Sequence, residues 1–377
     1  MEKRRKRKSL TIFLLLLPVL FLLLPGGADD RMEETAGRAA GMSRTAGTIR
    51  EEPAAGENEG SVPEADGQEE PIRWVDFNVS GEALRLAYEA DLDTLGSDCH
   101  TDWITLLACT AARYGGTFDG RALADLENMV QRIKSGESTP EEETEGLSSY
   151  SYYREAYEAV LGGMVGEFLL QEKDGEGNVV WRRKYGLKAF SPIAASFPYT
   201  DSDDFGAERI YGYSRPHLGH DMMGQVGTPI IAVESGYVEA LGWNEYGGWR
   251  IGIRSFDRKR YYYYAHLRQN YPYAEGLEEG SVVTAGDVIG YMGHTGYSAR
   301  ENVNNIKTVH LHWGMELIFD EARKDSDNEI WIDCYQLSRF LAGNRSEVEK
   351  IGETREWKRV YEMEDPAAQD PPLWILE

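Results

Sequence analysis

Two histidines open an apolar run late in the chain, which reads His310-Leu311-His312-Trp313-Gly314-Met315-Glu316-Leu317-Ile318. This composition is typical of a β-strand, in which side chains two residues apart point to the same face. His310 and His312 are therefore predicted to enter one pocket, with Leu311 in the opposite layer. The run predicts a β-rich domain with a histidine site on one face of its sheet.

Short apolar runs bounded by glycine precede this strand, beginning after about Tyr185. They lie at residues 229–233, 237–241, 250–253 and 288–291. Closely spaced strands of this kind favour an antiparallel sheet or sandwich over a doubly wound α/β fold. We therefore predict a mainly β catalytic domain at 185–320, preceded by a smaller helical domain, so that the overall class is α+β.

The helical domain is predicted at 74–184, where apolar residues recur at spacings of three and four. Ser80 and Asp119 stand where helices would begin, and Gly136 stands where one would end. Residues 137–145 are acidic, contain a proline and are predicted to form a loop. Nothing in this region indicates a chemical role.

The two ends of the chain differ from the middle. Six basic residues within Lys3–Lys8 precede an apolar run from Leu10 to Leu24, which predicts a signal peptide or membrane anchor at 1–28. The following segment, 29–73, is predicted to be a disordered acidic linker. The rest of the protein would then be extracytoplasmic, either secreted or anchored to the cytoplasmic membrane. Residues 321–377 are expected to form an extension packed on the β domain through Trp331, Trp357 and Trp374.

Charge and cysteine content exclude several classes of protein. Acidic side chains outnumber basic ones by 64 to 40, a net charge of −24 that argues against binding to nucleic acid phosphates. Cys99, Cys109 and Cys334 lack the paired spacing of zinc knuckles or redox dithiols. Cys109 is expected to pack on an apolar helical stripe, while one disulfide between Cys99 and another cysteine is left open.

Six of the seven histidines lie between His217 and His312. His217 and Asp221 offer a nitrogen and an oxygen four residues apart to a common centre, and the paired imidazoles of His310 and His312 can enter the same pocket. Two nitrogens and one carboxylate match a catalytic zinc site, which leaves its fourth position to water. The metal would make that water more acidic and polarise a carbonyl.

His266 follows a run of four tyrosines, and alternation would place Tyr262 and Tyr264 on its face. It is either a packed, hydrogen-bonded histidine or a catalytic group beside the metal.

The ordered motifs of residues 197–319 resemble the lysostaphin-type (LytM-like) zinc metalloendopeptidases of bacterial cell walls. The resemblance is carried by the following segments: His217-Leu218-Gly219-His220-Asp221, Gly227-Thr228-Pro229, Ser235-Gly236-Tyr237-Val238, Tyr264-Ala265-His266-Leu267, Gly286-Asp287-Val288-Ile289-Gly290, Gly293-His294-Thr295-Gly296-Tyr297-Ser298 and His310-Leu311-His312. It implies the lysostaphin-type peptidase fold and one zinc ion per catalytic domain. It also implies hydrolysis of peptide cross-links in peptidoglycan by metal-activated water.

Carried over by position, the resemblance implies that His217, Asp221 and His312 bind zinc and that His266 and His310 are catalytic. His220 and His294 lie outside the ligand set of the family and are expected to be lining or structural residues. The expected partners are peptidoglycan peptides, with membrane contact only through the N-terminal segment.

One departure from the family is an insertion at 299–309, between the Thr-Gly turn and the paired histidines. This loop is expected near the substrate groove, where it would alter specificity. Two alternatives to the endopeptidase stay open. One is a catalytically silent module that binds cell wall or a partner protein. The other is a D-alanyl-D-alanine carboxypeptidase or dipeptidase, although those families space the first histidine and aspartate more widely.

Overall fold

Seven helices and seventeen strands make up the part of the chain that the computed structural model describes, residues 72, 75–211, 213–324, 326 and 328–369. The helices are α1 (Gly81–Thr94), α2 (Trp103–Tyr114), α3 (Gly120–Ser135), α4 (Pro140–Thr144), α5 (Tyr150–Leu161), α6 (Tyr335–Leu341) and α7 (Pro366–Gln369). The strands are β1 (Val165–Lys173), β2 (Val179–Leu187), β3 (Thr200–Asp201), β4 (Glu208–Tyr211), β5 (Tyr213–Pro216), β6 (His220–Met223), β7 (Pro229–Ile231), β8 (Gly236–Asn244), β9 (Gly248–Ser255), β10 (Arg260–Ala265), β11 (Val282–Val283), β12 (Val288–Tyr291), β13 (His310–Leu317), β14 (Ile330–Trp331), β15 (Val348–Lys350), β16 (Trp357–Arg359) and β17 (Met363–Glu364). The predicted class, mainly antiparallel β preceded by helices, is confirmed.

The helix signals in the sequence act as expected. The Ser80 hydroxyl accepts a hydrogen bond from the Ala83 amide at 3.2 Å and caps α1. Asp119 caps α3 by accepting from the Ala122 amide at 3.1 Å. Gly136 ends α3 with a φ of 73°, a left-handed conformation that glycine adopts without a steric penalty.

The predicted loop at 137–145 is wrong in part, because it contains α4. Thr139 and Glu142 form a reciprocal capping box, with hydrogen bonds of 3.2 and 2.9 Å, which starts a helix in this short acidic stretch. Glu143 then turns inward and meets Arg132 at 2.8 Å. The Arg132 hydrogen bond lowers the pKa of Glu143 to about 2. The acidic run is therefore part of the packed structure.

The β structure begins earlier than the predicted onset at about Tyr185. Strands β1 and β2 form an antiparallel hairpin whose register pairs Val165 with Leu187. Most of their residues are half-buried or exposed and many are charged, so no apolar run marks them in the sequence. Strand β17 joins the free edge of β1, pairing Leu169 with Glu364, and completes a three-stranded sheet.

The main sheet runs in the order β11-β8-β9-β10-β13-β6-β3, and its strand pairs are antiparallel. The predicted histidine strand, β13, lies between β10 and β6, and β14 continues the β6 edge of β13. His310 and His312 share one face of β13, while Leu311 is fully buried on the other. The strand prediction is therefore confirmed, and this strand stands at the centre of the candidate site.

One hydrophobic core includes residues of the helices and of the main sheet, among them Leu107, Tyr157 and Leu311. A buried arginine also connects the two regions. Arg260, at the start of β10, donates to Glu234 at 2.8 and 3.0 Å and to the carbonyl oxygen of Ala159 in the last turn of α5 at 2.9 Å. The division of the chain at residue 185 into two domains stays a prediction.

The tryptophans of the extension behave as expected where the structure describes them. Trp331 packs edge-on against Tyr263 with ring centroids 6.1 Å apart, and Trp357 packs edge-on against Phe197 at 5.2 Å. Trp374 lies outside the described residues.

Cys99, Cys109 and Cys334 are all free, so the disulfide left open for Cys99 does not form. Cys109 is buried in α2 as expected, and its burial raises the pKa of the thiol to about 11. The segments predicted as signal or anchor (1–28) and, apart from Ile72, as linker (29–73) lie outside the described residues. No helix among the residues described combines the length and the apolar character that crossing a bilayer requires.

Candidate metal centre and active site

Three predicted ligands meet at the β6–β13 pair. Asp221 and His312 face each other directly across this antiparallel pair, and His217 lies in the segment between β5 and β6. The Nε2 atom of His217 lies 2.9 Å from Oδ1 of Asp221 and 2.9 Å from Nδ1 of His312. The third side of this triangle, from His312 Nδ1 to Asp221 Oδ1, measures 3.0 Å. Each residue thus offers one atom to a common centre.

The donor set fits a zinc ion. Nδ1 of His217 donates its hydrogen to the backbone carbonyl of Asp204 at 3.1 Å, so the Nε2 lone pair points into the triangle. Burial alone would raise the pKa of Asp221, but the adjacent imidazoles of His217 and His312 hold that pKa well below its usual value. Tetrahedral Zn²⁺ with bonds of about 2.0–2.1 Å separates its ligand atoms by about 3.3 Å, close to the separations seen. An anionic oxygen and imidazole lone pairs converge here, as a divalent cation requires.

Two residues that sequence reasoning missed contact the predicted ligands. Asp204 accepts the hydrogen bond from His217, and Arg209 donates to the carboxylates of both Asp204 and Asp221, at 2.5 and 3.1 Å. Arg209 thereby fixes the Asp221 oxygen that faces away from the triangle. Such outer contacts orient ligands and set their basicity. No spacing pattern marks Asp204 or Arg209, because the contacts depend on the β4–β5 hairpin folding over the site.

Gly219 is required by the close approach of His312. A Cβ atom at this position would lie 2.6 Å from Cε1 and 2.7 Å from Nε2 of the His312 ring, and 2.9 Å from the Trp313 carbonyl oxygen. Real Cβ contacts are essentially never that short. The glycine between His217 and Asp221 therefore provides the space that the His312 ring occupies.

The two predicted catalytic histidines lie beside the ligands. The rings of His266 and His310 have centroids 4.6 Å apart, and the ring of His266 is 5.9 Å from that of His312. Nδ1 of His266 donates to the Thr295 carbonyl at 3.0 Å, and Nδ1 of His310 donates to the Thr308 carbonyl at 2.9 Å. Nε2 is therefore the nitrogen that each ring presents to the site, and Nε2 of His310 lies 3.7 Å from Oδ2 of Asp221. Burial lowers the pKa of His266 well below its usual value, which keeps this ring neutral.

The expected alternation of Tyr262, Tyr264 and His266 is wrong. Strand β10 ends at Ala265, and His266 has a φ of 61°, which turns its ring to the His312 face. Tyr262 and Tyr264 are fully buried on the other face of the sheet. Tyr263 is the tyrosine at the site, with its ring 5.8 Å from that of His312. Left-handed backbone is unfavourable for non-glycine residues and is often found at functional positions.

The remaining two histidines of the cluster have structural contacts. His220 points to the opposite face of β6 from Asp221, where it meets Asp201 at 3.2 Å and packs edge-on against Tyr335. Burial lowers the pKa of His220, partly offset by Asp201. His294 donates from Nδ1 to the carbonyl oxygen of Ile306 at 2.7 Å. Neither contributes to the ligand triangle.

A cavity of about 600 Å³ opens beside the ligand triangle. The inserted loop 299–309 forms one wall of this cavity, as expected, and hydrogen bonds hold the loop in place. Asn305 donates to the Tyr297 carbonyl at 2.6 Å, and Asn302 accepts from the Trp249 indole at 2.9 Å. The lining combines Asp221, His310 and Arg209 with residues of this loop. We call this cavity the groove.

The β-rich part of the chain is similar to known proteins. The model of the family described as Peptidase family M23 matches residues 215–325, which include all five predicted site residues. An L-Ala–D-Glu endopeptidase of Bacillus subtilis is 34% identical over 169 residues, which are 45% of this chain and 48% of that protein. Lysostaphin of Staphylococcus simulans is 35% identical over 89 residues, which are 23% of this chain and 17% of that protein. The chain spans about half or less of the length of these curated relatives.

Solved structures also resemble this chain. A Ruminococcus gnavus structure described as a glycyl-glycine endopeptidase lytM is 25% identical, with 72% of this chain and 91% of that chain covered and a TM-score of 0.47. The catalytic domain of lysostaphin from Staphylococcus simulans is 27% identical, with 37% of this chain and 92% of that chain covered and a TM-score of 0.30.

Proposed function

We propose that this protein is a zinc-dependent endopeptidase that hydrolyses peptide bonds in bacterial peptidoglycan, because residues 215–325 match the model of peptidase family M23. The observation that carries the proposal is the ligand triangle of His217, Asp221 and His312, with sides of 2.9–3.0 Å. The names of the relatives, an L-Ala–D-Glu endopeptidase and lysostaphin, support a peptide bond as the target.

We assign the zinc ligands to His217 Nε2, Asp221 Oδ1 and His312 Nδ1. When bound, Zn²⁺ would supply Lewis-acid polarisation and a more acidic water. Asp204 and Arg209 would keep the first two ligands oriented. Gly219 would keep the space for the third.

We assign proton transfer to His266 and His310. Their Nδ1 hydrogens are donated to backbone carbonyls, so each Nε2 can accept a proton from the attacking water or, once protonated, donate one. The two rings are 4.6 Å apart, so both can reach one reacting peptide group. One would take the proton of the water, while the other would stabilise the carbonyl oxygen or protonate the leaving amine.

We further propose that the protein acts outside the cytoplasm. This follows from the substrate class, since peptidoglycan lies outside the cytoplasmic membrane, and from the basic and apolar segment within 1–28. Membrane contact would be confined to that segment.

The test uses the purified full chain loaded with zinc and mass analysis of peptidoglycan fragments before and after digestion. We expect cleavage within the peptides. Release of terminal D-alanine alone would indicate a carboxypeptidase. A protein that keeps its zinc but releases no new amine from any cell-wall preparation would contradict the endopeptidase proposal and leave the silent binding module.

Three variants separate metal binding from catalysis. His217→Ala and Asp221→Ala should each lose zinc, because each removes one of three ligands, whereas His310→Ala should keep zinc and lose turnover. His100→Gln, in the helical region, is the control and should retain both. Full zinc content in Asp221→Ala would contradict the ligand assignment.

A further inference from the structure

The charged residues that line the groove differ in their hydrogen bonds and ion pairs. Asp204, Asp221 and Arg209 are joined by hydrogen bonds of 2.5 and 3.1 Å. The fourth charged group, Lys307, is exposed and makes no ion pair or hydrogen bond through its ammonium with any residue that the structure describes. The groove therefore contains one uncommitted positive charge.

The position of Lys307 is set by its neighbours in the inserted loop. The carbonyl oxygen of Ile306 accepts a hydrogen bond from His294 at 2.7 Å, and the Thr308 carbonyl accepts one from His310 at 2.9 Å. The backbone on both sides of Lys307 is thus bound to histidines of the site. These contacts place the backbone of Lys307 at the groove, three residues from His310.

The charge of the groove contrasts with that of the whole protein. Two carboxylates and two cations line it, so its side chains sum to zero before any metal is counted, while the chain carries −24. A divalent ion at the ligand triangle would make the groove positive. A concave surface of this sign concentrates anions and steers them inward.

We propose that Lys307 is a specificity-determining residue that binds a free carboxylate of the substrate next to the scissile bond. This inference rests on the proposed function and deepens it. The preferred substrate class is an acidic stem peptide in which the residue after the scissile bond keeps its α-carboxylate, as in a γ-linked glutamyl peptide. Neutral glycine bridges have no group for this contact.

The test compares two synthetic peptides, L-Ala–γ-D-Glu–L-Lys–D-Ala and the same peptide with the glutamyl α-carboxylate converted to a carboxamide. Zinc-loaded full-length protein is assayed for kcat/KM, and its His310→Ala variant is assayed for Kd by calorimetry. We expect the carboxylate peptide to be favoured about tenfold in both measurements, since a charge-assisted contact of this kind is worth about 1.4 kcal/mol. The preference should fall as salt is raised.

Lys307→Gln should abolish the preference by weakening only the carboxylate peptide. Lys350→Gln, a change of the same charge at an exposed lysine of β15, should leave the preference unchanged. Equal binding of the two peptides, binding of neither, or a preference that survives Lys307→Gln would overturn the inference. Cleavage of peptidoglycan without this preference would leave the proposed function intact, whereas binding with the preference but no cleavage of any substrate would contradict only the proposed function.

Discussion

Replacing Arg260 should lower the free energy of unfolding, because this buried arginine connects the helices to the main sheet. The side chain is 1% exposed and donates to Glu234, Asp257 and the Ala159 carbonyl at 2.8–3.0 Å. Burial alone would lower the pKa of its guanidinium, but the negative charge of Glu234 holds it well above the usual value. The group is therefore a buried cation whose charge is matched by its neighbours.

Arg260→Met keeps much of the volume and removes every donor. Glu234, 7% exposed, would retain only the hydrogen bond from Tyr262, and the Ala159 carbonyl would lose its donor. Removing one member of a buried ion pair costs about 3–5 kcal/mol, because a buried charge is left uncompensated. We expect the free energy of unfolding to fall by that amount in urea denaturation, followed by far-UV circular dichroism and by tryptophan fluorescence.

A double variant tests the cause of this loss. Arg260→Met with Glu234→Gln should be more stable than Arg260→Met alone, because the unpaired charge is gone while Tyr262 keeps an acceptor. The matched control is Arg183→Met, whose side chain is 76% exposed and whose ion pair with Glu167 measures 3.5 Å; it should cost less than about 1 kcal/mol. A loss below 1 kcal/mol for Arg260→Met, or a double variant less stable than the single one, would refute the reasoning.

Three further changes have defined outcomes. Gly219→Ala should reduce zinc content, because the new methyl group overlaps the third ligand, whereas Gly175→Ala, with no atom within 4 Å of its Cβ position, should not; equal zinc in the two would contradict the assigned crowding. Asp204→Ala keeps the backbone carbonyl that accepts from His217 but removes the carboxylate that binds Arg209 and lies 3.2 Å from Nδ1 of His217. Zinc affinity should fall about 10–100-fold in a chelator competition, and unchanged affinity would mean that this carboxylate does not orient the ligands. The pKa of Glu143 is lowered from 4.5 to about 2, mainly by Arg132, so its stabilising contribution is present above about pH 4.5 and is lost as the pH falls toward 2. Glu143→Gln should therefore be less stable at pH 7 but lose less stability on acidification, and parallel stability curves would argue against this.

Local patterns in the sequence predict the parts of the structure that depend on interactions between residues close in sequence. Ser80 and Asp119 cap helices because their side chains satisfy nearby amides, and Gly136 ends a helix because it tolerates positive φ. The pair His310 and His312 shares a face because strand geometry requires it. The convergence of the predicted zinc ligands was expected from the family resemblance, while their assignment as ligands stays a prediction.

Features that depend on tertiary contacts escaped prediction. Hairpin β1–β2 lacks an apolar run because few of its residues are buried, so its stability comes from pairing and from β17. Arg209 reaches Asp221 only through the folded β4–β5 hairpin. His266 departs from strand alternation because the chain leaves β10 with a left-handed residue, whose amide donates to the Gly247 carbonyl at 2.7 Å. Periodicity cannot anticipate a turn of that kind.

The three-stranded sheet joins segments almost two hundred positions apart, since Leu169 and Leu170 of β1 pair with Glu364 and Met363 of β17. Nearly the whole folded region must therefore be synthesised before β17 can pair with β1. Until then the growing polypeptide exposes an open strand edge, to which another chain could bind. A recombinant fragment that contains β1 but ends at residue 325, where the peptidase match ends, would share that weakness, so expression boundaries that include β1 should also include residue 364.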